Sequence, residues 1–594
     1  MRQPNRRVTG RTIVLGSILT AYSTVGIAQT RPDAGTILDS VRPAEQAPRT
    51  GSVPALPAPP PRLPDNSALK VTVREFRISG NTLFSEDQLK AVIQSYTGRE
   101  LDSAGLQAAL DELKNFYRAK GYFLTVAYLP TQEINGGEVR IHVLEGRIGK
   151  ATARTADGAR LNPSVAERYL STIQPGSIAT ESAIYAPLLL LQDLPGVDIR
   201  SSLGPGKQAG EADLMVDVGD RGKRVNGSVD FDNYGSKYSG ALRLSGQAQV
   251  NSPTGYGDTL GMRALASEHA GTEVGSLSYL LPVGPWGTKI GASYTALRYK
   301  LHGSTTDPYS AVQDLGALNA NGTGTVATVN LVHPIIRGRE SNLYATLSGD
   351  VKHSTDRALF NTTTTNVNDQ RRTVKATRAG LNGDFRDAFN GGGFNAVGLT
   401  WSSGKATDNS IDAANADDPI IGGNRAGTFN KYNLDLQRTQ RINDNAFAMI
   451  HVTAQGANRN LPSSERFVVG GPTGVRAYPV GEGVADAGVM LNIEGRFNLP
   501  MQGWAAAAFV DTATIKRNIN QPAIDTVAVA GAPLPIGTLL PNSRTYTGGG
   551  FGLRINNSRG YTLSADVAWR MGTQRAQSDV QRNPTAWLRA SFAL

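Results

Sequence analysis

From about residue 221 to Leu594 the sequence predicts a transmembrane antiparallel β-barrel, preceded by two small α/β modules and a short N-terminal helix. Three observations predict it. Hydropathy alternates with period two after residue 221, an export signal opens the chain, and helical spacing recurs in between.

The alternation is clearest in three segments. Val225, Gly227, Val229 and Phe231 alternate with Asn226, Ser228, Asp230 and Asp232. Leu242, Leu244, Gly246, Ala248 and Val250 alternate with Arg243, Ser245, Gln247 and Gln249. Tyr561, Leu563, Ala565, Val567, Trp569 and Met571 alternate with Thr562, Ser564, Asp566, Ala568 and Arg570. One face suits lipid and the other is polar or charged. A soluble sandwich also alternates, but it turns its apolar face inward. Strands of about ten residues, charges along the polar face, aromatic ends and an export signal favour the barrel. Closure removes the open edges that lipid does not tolerate. The final strand, Trp587 to Leu594, places Leu588, Ala590, Phe592 and Leu594 on one face. Tracts 303–325, 355–375 and 403–430 are rich in Gly, Asn, Asp and Thr and are expected to be loops.

The export signal is read at residues 1–28. Arg2, Arg6, Arg7 and Arg11 make a positive start, Thr12 to Val25 is mostly apolar or small, and Gly26-Ile27-Ala28 supplies a cleavage site. A membrane anchor would need about 20 unbroken apolar residues. Cleavage removes four arginines and no acid, lowering the net charge from +10 to +6. That excess is spread along the chain, unlike a nucleic-acid footprint. The chain has no cysteine, which excludes disulfides, thiolate metal sites and a cysteine nucleophile.

Asp33 to Val41 has room for about two helical turns. Pro43, Pro48, Pro54, Pro57, Pro59, Pro60, Pro61 and Pro64 then favour extended, semi-rigid chain over residues 46–67. Two readings fit: a disordered leader, or a helix on a tether that docks elsewhere.

Residues 68–146 read as β-α-α-β-β. Val71, Val73, Phe76 and Ile78 form a strand, and Ser85 with Gln88 makes a capping box. Leu89, Val92, Ile93 and Tyr96 follow helical spacing up to Gly98, and Leu106, Leu110, Leu113 and Tyr117 mark a second helix. Tyr122 to Leu129 reads as a strand, and Val139, Ile141 and Val143 alternate in another. Residues 147–220 repeat the order. Pro163 follows Asn162 at a helix start, Ile184, Leu188, Leu191 and Leu194 carry a second helix, and Leu214, Val216 and Val218 alternate in the last strand.

The run Gly470-Gly471-Pro472-Thr473-Gly474-Val475-Arg476-Ala477-Tyr478-Pro479 sets one arginine in a turn-rich loop between β-type segments. An exposed loop arginine contributes almost nothing. A guanidinium forked onto a carboxylate inside a confined barrel would hold the loop to the wall. Phe509, Asp511 and Ala513 share a strand face, which breaks a simple lipid-out pattern. A bulge or a lumen-facing aromatic resolves it. Glu494 and Arg496, two residues apart, are candidates to extend such a network. Gly548-Gly549-Gly550-Phe551-Gly552 lies in β-type context and suits close strand approach better than phosphate binding.

Together these pieces resemble the two-partner secretion transporters (TpsB) of haemolysin secretion/activation type, which join POTRA modules to an outer-membrane barrel. Phe76-Arg77-Ile78-Ser79-Gly80-Asn81-Thr82-Leu83-Phe84 resembles the opening of the first POTRA, residues 68–146. Leu194-Pro195-Gly196-Val197, Leu203-Gly204-Pro205-Gly206 and Asp213-Leu214 resemble the end of the second, residues 147–220. Asp232-Asn233-Tyr234-Gly235 with Ser239-Gly240 is similar to the first barrel hairpin, and Pro282-Val283-Gly284 to a further barrel landmark. Val475-Arg476-Ala477-Tyr478 corresponds to the family's Val-Arg-Gly-Tyr loop motif, and Phe509-Val510-Asp511 to the strand whose aspartate the loop arginine contacts. Ala477 stands where the family usually has glycine, so the backbone there must avoid a left-handed conformation. Ala513 replaces another frequent glycine.

The resemblance implies about 16 strands in the barrel, a plug helix within 29–45, and residence in the Gram-negative outer membrane with the POTRA modules in the periplasm. It implies export, without ATP, of an unfolded secreted partner protein (TpsA-like, of haemolysin or adhesin type). Outer-membrane lipids, periplasmic chaperones and the barrel assembly machinery are further expected partners; no cofactor, metal or nucleic acid is. A barrel-insertion factor of the same superfamily is the alternative, although such factors usually carry more POTRA modules. A passive porin lacks them. Enzyme motifs do not emerge. His142, His269, His302, His333, His353 and His451 are scattered, and there is no P-loop or Gly-x-Ser-x-Gly elbow.

Overall fold

The computed structural model describes residues 33–40, 70–134, 136–302, 320–359, 367–409, 424–520, 526–529, 532–535, 541–558, 560–576, 578 and 582–594. The expected signal peptide (1–28) and proline-rich linker (46–67) lie outside these residues. Helix α1 (Ala34–Ser40) opens on Asp33, whose carboxylate accepts the Thr36 amide at 2.7 Å.

The first module runs β1 (Val71–Thr72), β2 (Glu75–Ser79), α2 (Glu86–Val92), β3 (Glu100–Leu101), α3 (Ser103–Ala119), β4 (Val126–Tyr128) and β5 (Glu138–Leu144). Ser85 and Gln88 form the expected capping box at the start of α2. The single strand expected over Val71 to Ile78 is two strands. Val73 exchanges hydrogen bonds with Gly98 and Arg99, whereas the Arg74 and Glu75 amides both turn to Gly137 O. The chain therefore changes partners there: β1 pairs with β3, and β2 runs parallel to β5. The strand expected over Tyr122 to Leu129 shortens to β4. The Tyr122 amide turns back onto Tyr117 O at 2.9 Å, and its ring meets Phe84 edge-on.

The second module runs β6 (Arg147–Thr155), α4 (Pro163–Leu170), α5 (Glu181–Gln192), β7 (Val197–Pro205) and β8 (Glu211–Asp220). Asn162 caps α4 and Pro163 takes its first turn, where the missing amide costs nothing. Its sheet repeats the plan of the first: the opening strand lies parallel to the last, and the penultimate strand covers the last strand's other edge. Each module has its own apolar core.

The barrel strands are β9 (Val225–Asp232), β10 (Arg243–Asn251), β11 (Thr259–Ser267), β12 (Thr272–Val283), β13 (Thr288–Lys300), β14 (Asn321–Arg337), β15 (Ser341–Leu359), β16 (Val367–Asp387), β17 (Gly393–Asp408), β18 (Gly427–Arg441) and β19 (Ala446–Ala457). Two short strands, β20 (Phe467–Val468) and β21 (Val484–Ala485), pair within the next loop. The wall resumes with β22 (Ala487–Asn498) and β23 (Trp504–Lys516). A small hairpin of β24 (Thr526–Val529) and β25 (Ala532–Pro535) follows, then β26 (Ser543–Asn556), β27 (Tyr561–Arg570) and β28 (Thr585–Ala593). The wall is a closed sheet of 16 antiparallel strands, sealed where β28 pairs with β9 over Arg589↔Asp232 to Ala593↔Ser228.

The alternation faces as expected. Phe231, Tyr294, Leu347, Leu399, Val510, Trp569 and Phe592 are exposed on the outer surface, while Asp230, Asp232, Asp350, Asp511 and Asp566 are buried on the inner one. Several strands exceed the expected ten residues; β16 has 21. Residues 321–325, 355–359, 367–375, 403–408 and 427–430, expected as loop, are strand. Polar residues extend a hairpin beyond lipid because each ladder still satisfies its own backbone, and Thr and Val favour the pleat.

The second module is locked to the barrel base. The Arg337 guanidinium donates to both carboxylate oxygens of Asp193, at 2.7 and 2.8 Å, and to Asn342 Oδ1 at 2.8 Å. Asn342 in turn donates to Asp384 at 2.9 Å.

Candidate functional site

The segment between β19 and β22 folds back inside the barrel. Gly471 takes φ +109° and Gly483 φ +68°, where a side chain would be strained. The Val475 amide reaches Val469 O at 2.7 Å and the Gly471 amide reaches Tyr478 O at 3.0 Å, closing the loop on itself. Val469, Val475, Ala477 and Tyr478 then pack against Phe509, Ala513, Tyr546 and Ala568 of the wall. The loop fits because β26 is bare there. A Cβ at Gly548 would overlap the Ala477 methyl, and one at Gly550 would lie 2.7 Å from the Phe509 ring. Ala477 is not among the residues at positive φ, so its methyl is accommodated without strain.

Arg476 is buried and fully engaged. Its Nε and Nη2 donate to the two oxygens of Asp511, both at 2.9 Å, and its backbone amide adds a third bond at 3.1 Å. Nη1 donates to Glu494 at 2.6 Å. The guanidinium carbon lies 3.3 Å from the Phe509 ring centroid. Phe509 is therefore a lumen-facing aromatic, and β22, β23 and β26 pair without a bulge. Arg496 donates to Glu494 at 2.6 Å. The Arg476 carbonyl accepts from Trp587 Nε1 at 2.7 Å, and Tyr478 donates to Gln574 O at 3.1 Å. One loop residue is thus tied to β22, β23 and β28.

Three contributors were not singled out from the sequence. Asn492 donates to Asp511 at 2.8 Å and to Gly474 O at 2.9 Å. Arg554 pairs with Asp566 at 2.8 Å and with Glu494 at 3.4 Å. All face the lumen, so strand parity was the available signal.

A second anchor was also unforeseen. Glu465, in the turn Ser463–Glu465, is buried among Lys352 of β15 at 2.8 Å, Arg378 of β16 at 2.9 Å and Lys431 of β18 at 2.8 Å. Arg378 also pairs with Asp350. Beside it Arg466 pairs with Asp486 at 3.0 Å. The loop is therefore pinned to two sectors of the wall, β15–β18 and β22–β28. Lys352 and Arg378 flank the tract read as loop from sequence, which hid their inward parity.

Helix α1 lies in the lumen against this turn. Ala34, Ile37 and Leu38 are buried with Leu265, Val274, Leu297 and Tyr299 of the inner wall. The Ala34 amide and the Tyr299 hydroxyl both donate to Asp356, at 2.8 and 2.6 Å.

A loop arginine is thus clamped inside a closed barrel of 16 strands, behind α/β modules. The family model of haemolysin secretion/activation proteins ShlB/FhaC/HecB matches residues 210–534, and that of the ShlB-type POTRA domain matches 71–146. The chain belongs to this family. It is a two-partner secretion transporter of the outer membrane, acting with a secreted partner protein. The heme/hemopexin transporter protein HuxB of Haemophilus influenzae strain 86-028NP is 27% identical over 415 residues, 70% of each chain. The outer membrane transporter CdiB of Dickeya dadantii is 24% identical over 424 residues, 68% of this chain and 69% of its own. Among solved structures, CdiB from Escherichia coli superposes with TM-score 0.65 at 18% identity, covering 90% of this chain and 93% of that one. CdiB from Acinetobacter baumannii gives 0.55 at 17% identity, covering 96% and 95%. These likenesses concern the fold.

The Arg476 clamp joins loop to wall, whereas α1 meets the loop at the turn carrying Glu465, where Gly35 lies against Ser463 and Ser464.

Proposed function

We propose that the transporter is a passive conduit for one large exported partner of adhesin or cytolysin type, threaded unfolded from periplasm to surface. The observation that carries this reading is the loop pinned across the lumen by Arg476 and Glu465, with α1 lodged beside it. A wall ion pair excluded from water is a firm anchor, whereas a seven-residue helix held by three apolar side chains and an amide bond to Asp356 is a removable one.

In this reading residues 1–28 are the signal peptide, 29–45 the plug segment, 46–67 its tether, 68–146 and 147–220 the periplasmic modules, and 221–594 the barrel. Strands β2, β4, β6 and β7 lie at sheet edges, and such an edge accepts an extended client segment by β-augmentation. The client displaces α1, the polar inner face passes it, and its folding outside draws the chain forward without ATP. Periplasmic chaperones and the barrel assembly machinery deliver the transporter itself.

The test is export of any large exported repeat protein found encoded beside this chain's gene. In cells lacking the chain, that protein should stay in the periplasm and reach the surface only on complementation. Unaltered export in its absence would overturn the proposal.

A further inference from the structure

The outer surface of β15–β18 carries an unbalanced cationic spot. Lys375 of β16 and Lys405 of β17 are direct cross-strand partners, and both are exposed. Both share outward parity with exposed Leu381, Leu399 and Trp401. Like charges directly opposite each other on a sheet face are destabilising. Among the described residues, neither lysine's side chain has an ion pair or hydrogen bond. Their outward neighbours in the same row and the rows on either side run from Gly349, Val351 and His353 of β15 to Thr428 and Asn430 of β18, and none of them is acidic.

The height of the pair on the barrel narrows what it meets. The exposed apolar band of this sector begins at Phe385 near the periplasmic turn and ends at the row of Leu347, Trp401 and Tyr432. From Phe385 to Lys375 the strand climbs about 33 Å, roughly 25 Å along the membrane normal at a tilt near 40°. By the same measure the Trp401 and Tyr432 row stands about 15 Å up, so the ammonium groups lie roughly 10 Å above the aromatic pair that closes the apolar band, at the level of the outer-leaflet headgroups. Elsewhere at the rim an outward cation is neutralised from its own wall: Arg298 donates to Glu273 at 2.9 Å.

We infer that Lys375 and Lys405 form a docking point for the phosphate of a phosphorylated outer-leaflet glycolipid of lipid A type. Trp401 and Tyr432 bear on its acyl chains. Two adjacent ammonium groups offer six donors to an anion with several acceptor oxygens, and they shed their mutual repulsion on binding it. The site lies outside the pore and is independent of the export mechanism.

The full-length transporter is purified in mild detergent and incubated with bisphosphorylated lipid A or with lipid A stripped of phosphate, and retained lipid is counted by native mass spectrometry. The double variant Lys375→Gln/Lys405→Gln should retain bisphosphorylated lipid A roughly tenfold less than the parent. Arg298→Gln should retain it as the parent does. Lipid A without phosphate should bind parent and double variant alike. Heat-modifiable electrophoretic migration confirms that each barrel is folded. Equal retention by parent and double variant, or no preference for the phosphorylated lipid, would overturn the assignment.

Discussion

The guanidinium of Arg476 lies face-on above the Phe509 ring, 3.3 Å from its centroid, while its edge forks onto Asp511. A ring face and a carboxylate fork use different surfaces of one planar cation, so both contacts form at once. This geometry makes arginine irreplaceable by lysine there, because an ammonium cannot fork and stack together.

Arg476→Ala leaves Asp511 buried without its cation and takes one of three cations from Glu494, a change that costs about 3–5 kcal/mol. Export of the partner should fall by at least tenfold while the barrel still shows heat-modifiable migration. Arg476→Lys should recover little of it. Phe509→Leu, which keeps the volume but removes the π face, should cost about 2 kcal/mol or less. Full export by the alanine variant would refute a role for the clamp.

Glu465→Gln strands Lys352, Arg378 and Lys431 beside one another with no carboxylate among them from the loop. The turn Ser463–Glu465 should then detach before the Arg476 clamp does. Hydrogen exchange of the full chain should rise around the turn and in α1, but not at Tyr478. Unchanged exchange in α1 would show that the turn does not support the helix.

Deleting residues 29–45, or burying a charge with Leu38→Glu, should dislodge α1 and raise the conductance of the pore in planar bilayers. Leu38 is buried in the lumen, and an unpaired carboxylate in such a site costs several kcal/mol. Conductance equal to the parent's would rule the plug out.

Glu145→Gln should make the first module insensitive to acid. Burial of Glu145 raises its pKa, but hydrogen bonds from Thr82, Leu83 and Tyr117 outweigh this and hold it below the usual 4.5. A depressed carboxylate stabilises the fold above the unfolded-state value and loses that contribution as pH falls through the folded one. Protection of residues 71–146 against hydrogen exchange, relative to the intrinsic rate at each pH, should therefore fall below about pH 4.5 in the parent. Glu145→Gln should already show the lowered protection at neutral pH, a loss of about 2 kcal/mol. A parent module indifferent to pH between 5 and 3, roughly the carboxylate range, would contradict this.

Much of this organisation was legible along the chain. Period-two alternation placed Phe231 outside and Asp232 inside because a pleated strand must divide its residues between two faces. Ser85, Gln88, Asn162 and Pro163 marked helix starts because capping is local. Resemblance to a loop motif pointed to Arg476 and Asp511, and their 2.9 Å contact is what the fold displays. Where expectation and structure parted, non-local pairing was responsible. Val73 changes partners between Arg99 and Gly137, and the polar hairpins above the membrane keep their ladders.

By itself, the sequence determined which residues of the clearly alternating segments face lipid and which face the lumen, and where the capped helices begin, since these depend on neighbours a few positions away. Only the tertiary structure decided that Glu465 meets Lys352, Arg378 and Lys431, and that Arg476 holds Asp511, Glu494 and Phe509 together. Such partners lie tens of residues apart and come together only when the sheet closes. Closure depends on strand register summed around 16 strands, which no local pattern contains.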